Sequence, residues 1–365
     1  MMANIDEAVV KSKRPADSAF KQQRLAAWQP ILTAGTVLPT FFVIGIAFIP
    51  VGIGLLHFSY EVKEFTLDYT ECKEYLPDKR VHGSERCSDV IDKNRTCICQ
   101  EDFTLTEEFA GKVYMYYGLS NFYQNHRRYV KSRDDNQLLG QLDQPPSKDC
   151  SPYDYTNDTT NKMPIAPCGA IANSLFSDKL TILSHRMDNQ EVPMLRKGIA
   201  WPSDKQIKFR NPPAPNGNLS AAFQGYAKPL RWAKPVYELD PDDPENNGFQ
   251  NEDLIVWMRT AALPEFRKLY RLVNHNATGY VDGLPRGNYT LRVQYNYQVN
   301  AFNGTKYMIL STTSLLGGKN PFLGIAYIVV GSVCLFLGIV FLFIHVKCGK
   351  STSEMINVNP RTPYQ

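Results

Sequence analysis

Two long stretches without a charged side chain constrain this sequence more than any other feature. One runs from Leu25 to Tyr60 and the other from Asn320 to Val346. An α-helix rises about 1.5 Å per residue and a bilayer core is about 30 Å thick, so roughly 20 apolar residues span it. Both stretches exceed that length, and a pair of core helices is the poorer reading of so long a run without charge. The rest of the chain is ordinary, with 21% charged residues in 365 and a negative mean hydropathy. The apolar character is therefore confined to two helices, which we place at 31–58 and 321–346.

The first span reads as an uncleaved signal anchor, because its apolar run is too long for a cleavable signal and a polar region of 24 residues precedes it. Lys11, Lys13, Arg14, Lys21 and Arg24 come before that span, and Lys347 and Lys350 follow the second. Lys and Arg beside a spanning helix favour the cytosolic side. This predicts cytosolic tails at 1–30 and 347–365 and one exoplasmic domain at 59–320. The middle region agrees. It holds six Asn-x-Ser/Thr sequons, at Asn94, Asn157, Asn218, Asn276, Asn288 and Asn303, and neither tail holds one. Six of the eight cysteines lie there too: Cys72, Cys87, Cys97, Cys99, Cys150 and Cys168. An even count in a glycosylated compartment implies disulfides, with 15 possible pairings for six cysteines. Cys97 and Cys99 stand too close to be mates. A zinc site is the rival, but the spacing fits neither a finger nor a ribbon and only His82 is near.

Within the exoplasmic region, Tyr289 to Val299 alternates apolar and polar residues, which predicts a half-buried strand. Leu254 to Met258 reads as a more fully buried strand, and Val113 to Tyr117 and Tyr307 to Thr313 as further strands. Leu263, Phe266, Tyr270 and Val273 fit one helical face after Pro264. Leu119, Phe122, Tyr123, Tyr129 and Val130 suggest a second helix. Pro39 and Pro50 should kink or loosen the first span. The sum is a mainly β ectodomain with helical and loop excursions, the disulfides stapling the looser parts of its first half.

No catalytic motif is present: no Gly-rich phosphate loop, no Gly-x-Ser-x-Gly and no His-Glu-x-x-His. Asp240, Asp242, Asp243, Asn246, Asn247 and Gly248 resemble a calcium loop, but Leu254 falls where a bidentate Glu is required, so we read an acidic turn. His126, Arg127, Arg128, Lys131 and Arg133 form a basic cluster. It reads as a solvated helical face paired with Asp134 and Asp135, with an anion-facing or protein-facing patch as the sharper alternative. Nucleic acid is not expected on this side of a membrane. No metal and no cofactor is implied. Cys334 lies within the second span as a packing residue, and Cys348 just beyond it is either a free thiol or a palmitoylation site.

Neither span holds Asp, Glu, Lys or Arg; His57 and His345 lie close to opposite ends, and Cys334 lies within the second. Transport paths are usually lined by ionisable or polar groups, so two apolar helices do not make a path by themselves. They do carry glycine: Gly324, Gly331 and Gly338 recur every seven residues, and Gly45 and Gly52 repeat that spacing. Small residues let helices approach closely in lipid, although glycine is also simply common there.

Longer strings say more. They include Phe20-Lys-Gln-Gln-Arg-Leu25 with Trp28-Gln-Pro30, the run from Phe122 to Asp135, the run from Pro164 to Ser174, and Asn251-Glu-Asp with Ile255 to Pro264. Gly317 to Tyr327 opens the second span. Together these resemble the cell cycle control protein 50 family, also called the transmembrane protein 30 family, over almost the whole chain. The resemblance implies an antiparallel β-sandwich ectodomain on two membrane helices. It also implies a non-catalytic accessory β-subunit of a type IV P-type ATPase, a phospholipid flippase acting on aminophospholipids. The ATPase would carry the aspartyl-phosphate chemistry and the lipid path. The subunit would serve assembly, exit from the endoplasmic reticulum and activity, among membrane lipids. Both termini would be cytosolic, in the endoplasmic reticulum, Golgi, endosomal or secretory vesicles or plasma membrane. A receptor or adhesion glycoprotein is the alternative class.

The resemblance further implies disulfides Cys72 with Cys99, Cys87 with Cys97, and Cys150 with Cys168. Family members usually keep the first two cysteines close, whereas residues 73–86 separate Cys72 from Cys87 here. They also usually read Ala-Trp-Trp where this chain has Ala200-Trp201-Pro202, and Trp-Met where it has Leu315-Leu316.

Overall fold

The computed structural model describes residues 16–25, 33–76, 81–92, 95–158, 160–314 and 317–348. They fall into two units, one of the residues up to Gly54 with those from Phe322 onward, the other Leu55–Pro321. The first unit is a pair of helices, α1 (Ala34–Glu61) and α9 (Phe322–Cys348), both long and apolar enough to cross a membrane. α1 continues as one helix through Pro39 and Pro50.

The second unit is a mainly antiparallel-sheet ectodomain. One sheet has five strands in the order β1 (Glu64–Asp68), β13 (Lys306–Ser311), β6 (Tyr114–Leu119), β10 (Phe266–Val273) and β9 (Met194–Leu195). The other has six: β3 (Val81–Arg86), β2 (Lys73–Leu76), β4 (Cys97–Leu105), β12 (Gly287–Tyr295), β7 (Lys179–Ser184) and β8 (Gln190–Glu191). A small ladder joins β5 (Phe109–Ala110) to β11 (Gly283–Leu284). Every ladder between these strands is antiparallel. The short helices α2 (Cys87–Asp92), α3 (Arg127–Lys131), α4 (Asp135–Leu138), α5 (Ala170–Asn173), α6 (Pro202–Ile207), α7 (Leu219–Ala222) and α8 (Glu252–Met258) lie in the connections.

β12 follows from its alternation. Tyr289, Leu291, Val293 and Tyr295 are buried, as are Tyr297 and Val299 beyond the strand end. Side chains at i and i+2 share a face of a strand, so this set builds one side of the core. Met115, Tyr117, Leu119, Met308 and Leu310 of the other sheet join the same cluster. Thr290 breaks the pattern and is buried, because His185 and Asp102 cover its hydroxyl at 2.7 and 2.5 Å.

Three local expectations are corrected. Leu254 to Met258 is not a strand but most of α8. Asn251 caps it by accepting from the Leu254 N–H at 3.1 Å, and Glu252 and Asp253 in the first turn suit the helix dipole. A short apolar run fits buried strand and buried helix equally, and here the cap decides. Phe266 to Val273 is not a helix but β10. Its inward positions include Lys268, and a bulge between Leu269 and Arg271 shifts the register. Alternation with a polar member and an extra residue leaves Phe266, Tyr270 and Val273 at helix-like spacing. The segment from Leu119 to Val130 begins as the end of β6 and turns at Asn121 with φ 56°, leaving only α3 helical.

Candidate functional site

The two apolar helices meet along their glycines. A Cβ placed on Gly45 would lie 2.5 Å from Leu335 Cγ and 2.9 Å from the Gly331 carbonyl oxygen. At Gly52 it would lie 2.8 Å from Ile328 Cγ1 and 2.9 Å from the Gly324 carbonyl oxygen. At Gly331 it would lie 2.9 Å from Ile49 Cγ1 and 3.1 Å from Phe48 Cβ. Gly338 is in ordinary contact, 3.4 Å from Phe42. Gly324, Gly331 and Gly338 are the buried residues of α9. The glycine faces of α1 and α9 thus close on each other within one chain, while Val43, Ile46, Val333, Phe336, Ile339 and Phe343 face outward and exposed. Cys334 is half-buried and Cys348 exposed, both free.

Gly331→Leu is expected to prise this pair apart, since apolar helices in lipid have no hydrophobic drive to associate and depend on close packing. Phe48 and Tyr327 have ring centroids 4.8 Å apart. Cysteines introduced at those two positions should cross-link readily in membranes, and several-fold less in the Gly331→Leu background. Equal yields would mean that the seam tolerates a branched side chain and does not depend on glycine.

The ectodomain holds three disulfides: Cys72–Cys99, Cys87–Cys97 and Cys150–Cys168. Cys97 and Cys99 are two residues apart in β4, so both sulfurs point into the core, each toward its own mate. The residues between Cys72 and Cys87 include the β2–β3 pair, which turns back so that the Cys87 N–H donates to the Cys72 carbonyl at 2.9 Å. A paired insertion leaves its ends adjacent, which is how two cysteines far apart in sequence both reach β4. These two bridges brace the edge of a sheet rather than a loose excursion. The sulfurs of Cys72, Cys87 and Cys99 lie within 4.8 Å of one another, but each is held in a disulfide and offers no thiolate.

The sequon residues Asn157, Asn218, Asn276, Asn288 and Asn303 are all exposed, and Asn94 lies outside the described residues. Asn218 caps α7, and Asn303 takes the left-handed conformation at φ 51°. The supposed acidic turn is a closed polar knot. Asp240 accepts from Asn246 Nδ2 at 2.7 Å, Asn247 Oδ1 accepts from the Asp240 N–H, and Asn246 Oδ1 accepts from the Glu252 N–H at 3.0 Å. These oxygens are occupied by protein donors. Trp201 is 62% exposed and lies against the Arg259 guanidinium, 4.4 Å from the ring centre. Leu315 and Leu316 lie outside the described residues.

Two buried lysines escaped the sequence reading. Lys306 Nζ donates to Asp178 Oδ2 and to the Tyr297 carbonyl, each at 2.7 Å, with both charged side chains fully buried. Lys268 Nζ donates to the carbonyls of Val256 and Trp257, both at 3.0 Å, and to that of Arg259. These are orphan acceptors at and just past the end of α8, where a cation also suits the dipole. Burial, reinforced by Arg259, draws Lys268 down to about 7. The only available signal was negative: each lysine interrupts an otherwise apolar inward pattern. Lys268 lines an open cavity with Trp201, Asp204 and Arg259, but its ammonium is taken up by the three carbonyls, and both lysines act as internal ties.

Two helices of membrane-spanning length flanking a disulfide-braced antiparallel ectodomain define the class of protein. Residues 55–351 match the LEM3 (ligand-effect modulator 3) family / CDC50 family, and the chain belongs to that family. It is 54% identical over 348 residues to cell cycle control protein 50A of Bos taurus, covering 94% of this chain and 92% of that protein. It is 49% identical over 345 residues to cell cycle control protein 50B of Homo sapiens, covering 92% and 94%. The putative ALA-interacting subunit 4 of Arabidopsis thaliana is 42% identical over 329 residues, covering 89% and 88%.

Proposed function

We propose that this chain is the non-catalytic accessory subunit of a phospholipid flippase. In this reading it is required for assembly, endoplasmic reticulum exit and activity of a type IV P-type ATPase that moves aminophospholipids to the cytosolic leaflet. The observation that carries the reading is the glycine seam. Its two helices contain no Asp, Glu, Lys or Arg before Glu61 in α1 or Lys347 in α9, and they close directly on each other. Such a pair has no polar lining for a lipid headgroup, so the chain acts through another membrane protein. Family membership supports this, as does the Arabidopsis relative's name, which is that of an interacting subunit.

The membrane arrangement belongs to the same proposal. Residues 1–30 and 347–365 are cytosolic, the helices span the bilayer, and residues 59–320 are exoplasmic and N-glycosylated. A tag after Gln365 should then bind antibody only in permeabilised cells, and enzymatic removal of N-glycans should speed migration on gels. Surface labelling of the tag in intact cells would contradict the hairpin.

The complex is tested by purifying the tagged full-length chain in mild detergent and identifying its companions by mass spectrometry. A large P-type ATPase at comparable abundance is expected. Recovery of the chain without one would sink the flippase reading and favour a receptor or adhesion glycoprotein.

A further inference from the structure

The two bridges at the edge of the six-stranded sheet stand close enough to exchange. The sulfurs of Cys72, Cys87 and Cys99 lie within 4.8 Å of one another, and Cys72 is bonded to Cys99. Cys87 therefore sits beside a disulfide that is not its own. Its present mate, Cys97, is outside that group of three. A thiolate that attacks a disulfide sulfur forms a new bond there and expels the other sulfur, so this proximity prepares an internal exchange.

Cys72 and Cys87 are also neighbours through the backbone. Lys73 faces Arg86 in the β2–β3 ladder, and Cys72 and Cys87 are the next pair outward, with the Cys87 N–H donating to the Cys72 carbonyl at 2.9 Å. Glu71 and Arg86 form an ion pair beside them. Facing residues of an antiparallel pair have Cα atoms about 4.5–5.5 Å apart, which suits the roughly 4.4–6.8 Å that a disulfide spans. A Cys72–Cys87 bridge is thus compatible with the hairpin as it stands. Cys97 and Cys99 are different. Two residues of strand cover about 6.6 Å, whereas a disulfide needs Cβ atoms about 3.8 Å apart, so this pair stays a dithiol while β4 is intact.

The β2–β3 pair meets β4 at one ladder position, Glu74 opposite Cys99. Arg95, just before β4, adds ion pairs to Glu74 at 3.2 Å and Glu85 at 3.5 Å. Both disulfides end on β4. With so short a ladder, they are the firm attachment of this edge.

We propose that Cys87 is a relay sulfur that makes this sheet edge redox-sensitive. A protein dithiol of the lumen attacks Cys97 Sγ and breaks the Cys87–Cys97 bond. It ends as a disulfide itself, leaving thiols at Cys87 and Cys97. The Cys87 thiolate then attacks Cys72 Sγ, the Cys72–Cys99 bond breaks, and Cys99 leaves as a thiolate that takes up the proton Cys87 gave. This second step consumes no electrons. The product keeps one bridge, Cys72–Cys87, inside the hairpin, and a dithiol, Cys97 and Cys99, on β4. A single two-electron reduction thus removes both covalent ties between hairpin and sheet. All four sulfurs are buried, Cys72 being the most open at 4%, so the reductant enters when this edge opens. The lumenal reductant rests on the membrane arrangement proposed above, and the exchange itself does not.

Cys97→Ser tests the relay without any reductant, because it leaves Cys87 as a free thiol beside the Cys72–Cys99 bridge. The full-length variant is denatured directly into excess N-ethylmaleimide at mildly acid pH, where little thiolate remains to exchange. Labelled and linked peptides are then mapped by mass spectrometry, with the free Cys334 and Cys348 as reference labels. Exchange between like disulfides is near balance, so about half or more of the bridged material should be Cys72–Cys87, with matching label on Cys99. In Cys87→Ser the free sulfur is Cys97, and the label should stay there. Label confined to Cys87 in the first variant, with Cys72–Cys99 intact, would overturn the relay. Equal scrambling in both variants would overturn it too, because shuffling in unfolded chains needs no relay. The unaltered chain, titrated with glutathione, gives a reading that requires neither variant to fold. A Cys72–Cys87 peptide is expected at intermediate reduction. Passage from the native bridges to four thiols without that peptide would contradict the proposal and leave the accessory-subunit reading untouched.

Discussion

Asp178→Ala is expected to destabilise the ectodomain by about 3–5 kcal/mol, the usual cost of leaving one member of a buried ion pair without the other. Asp178 immediately precedes β7 of one sheet, and Lys306 opens β13 of the other. Their 2.7 Å contact therefore ties the two layers together at one end of the core. The carboxylate does more than balance one charge. Its Oδ1 accepts from the N–H groups of Asn296 and Tyr297, each at 2.6 Å, and its Oδ2 accepts from Tyr69 Oη at 3.2 Å. Alanine leaves the Tyr297 N–H and Tyr69 Oη buried and unmet and removes the acceptor of the half-buried Asn296 N–H, beside an ammonium enclosed by the rings of Tyr69 and Tyr295. Burial, partly offset by Asp178, already lowers Lys306 to about 8, and without the carboxylate the lysine should shed its proton more readily. Asp178→Asn, which retains acceptors for the backbone donors, should lose less than Asp178→Ala. Thermal or denaturant midpoints of the purified full-length chain measure both. A midpoint for Asp178→Ala indistinguishable from that of the unaltered protein would remove the ion pair from the account of stability.

Cys168→Ser is the second large effect, at about 2–5 kcal/mol. The bridge to Cys150 closes a loop of sequence separation 18. More than loop entropy depends on it. The Cys168 N–H donates to Gln137 Oε1 at 3.0 Å, and the Gly169 N–H donates to the Tyr153 carbonyl at 3.1 Å. The bridge therefore fastens α4 and the approach to α5, on which α3 rests through Ser132 Oγ, which accepts from the Ala170 N–H at 2.9 Å. Loss of the bridge should lower the unfolding midpoint, retain the glycoprotein in the endoplasmic reticulum and loosen α3. Protease susceptibility within residues 123–133 should rise in step. Normal delivery with an unchanged midpoint would show that noncovalent contacts alone hold this segment.

How much of this could be read in the residues depends on how local the cause is. The apolar helices and β12 follow from uninterrupted composition and from a clean period of two. α8 was legible in principle, since Asn251-Glu-Asp is a helix start, but the apolar run behind it fits two secondary structures. β10 was hidden because Lys268 occupies an inward position and a bulge follows it. Lys306 and Asp178 are 128 positions apart, and no local pattern announces that they meet. For the basic cluster of α3, the charges were visible, but their pairing was not. Asp135 meets Arg133 at 3.0 Å, whereas Asp134 turns inward to cap α4, accepting from the Asn136 and Gln137 N–H groups, which only the folded connections reveal. The seven-residue glycine spacing marked a packing face, and the opposing helix of the same chain became visible only when both were placed together.

In the proposed function this chain acts through an ATPase and carries out no chemistry of its own. The most direct measurement is lipid-stimulated ATP hydrolysis by three preparations in liposomes: the chain alone, the copurified ATPase alone and the two together. The account predicts no hydrolysis by the chain, little by the ATPase once separated, and phospholipid-dependent hydrolysis when both are present. Hydrolysis by the chain alone, or full lipid-dependent activity of the ATPase without it, would contradict the account.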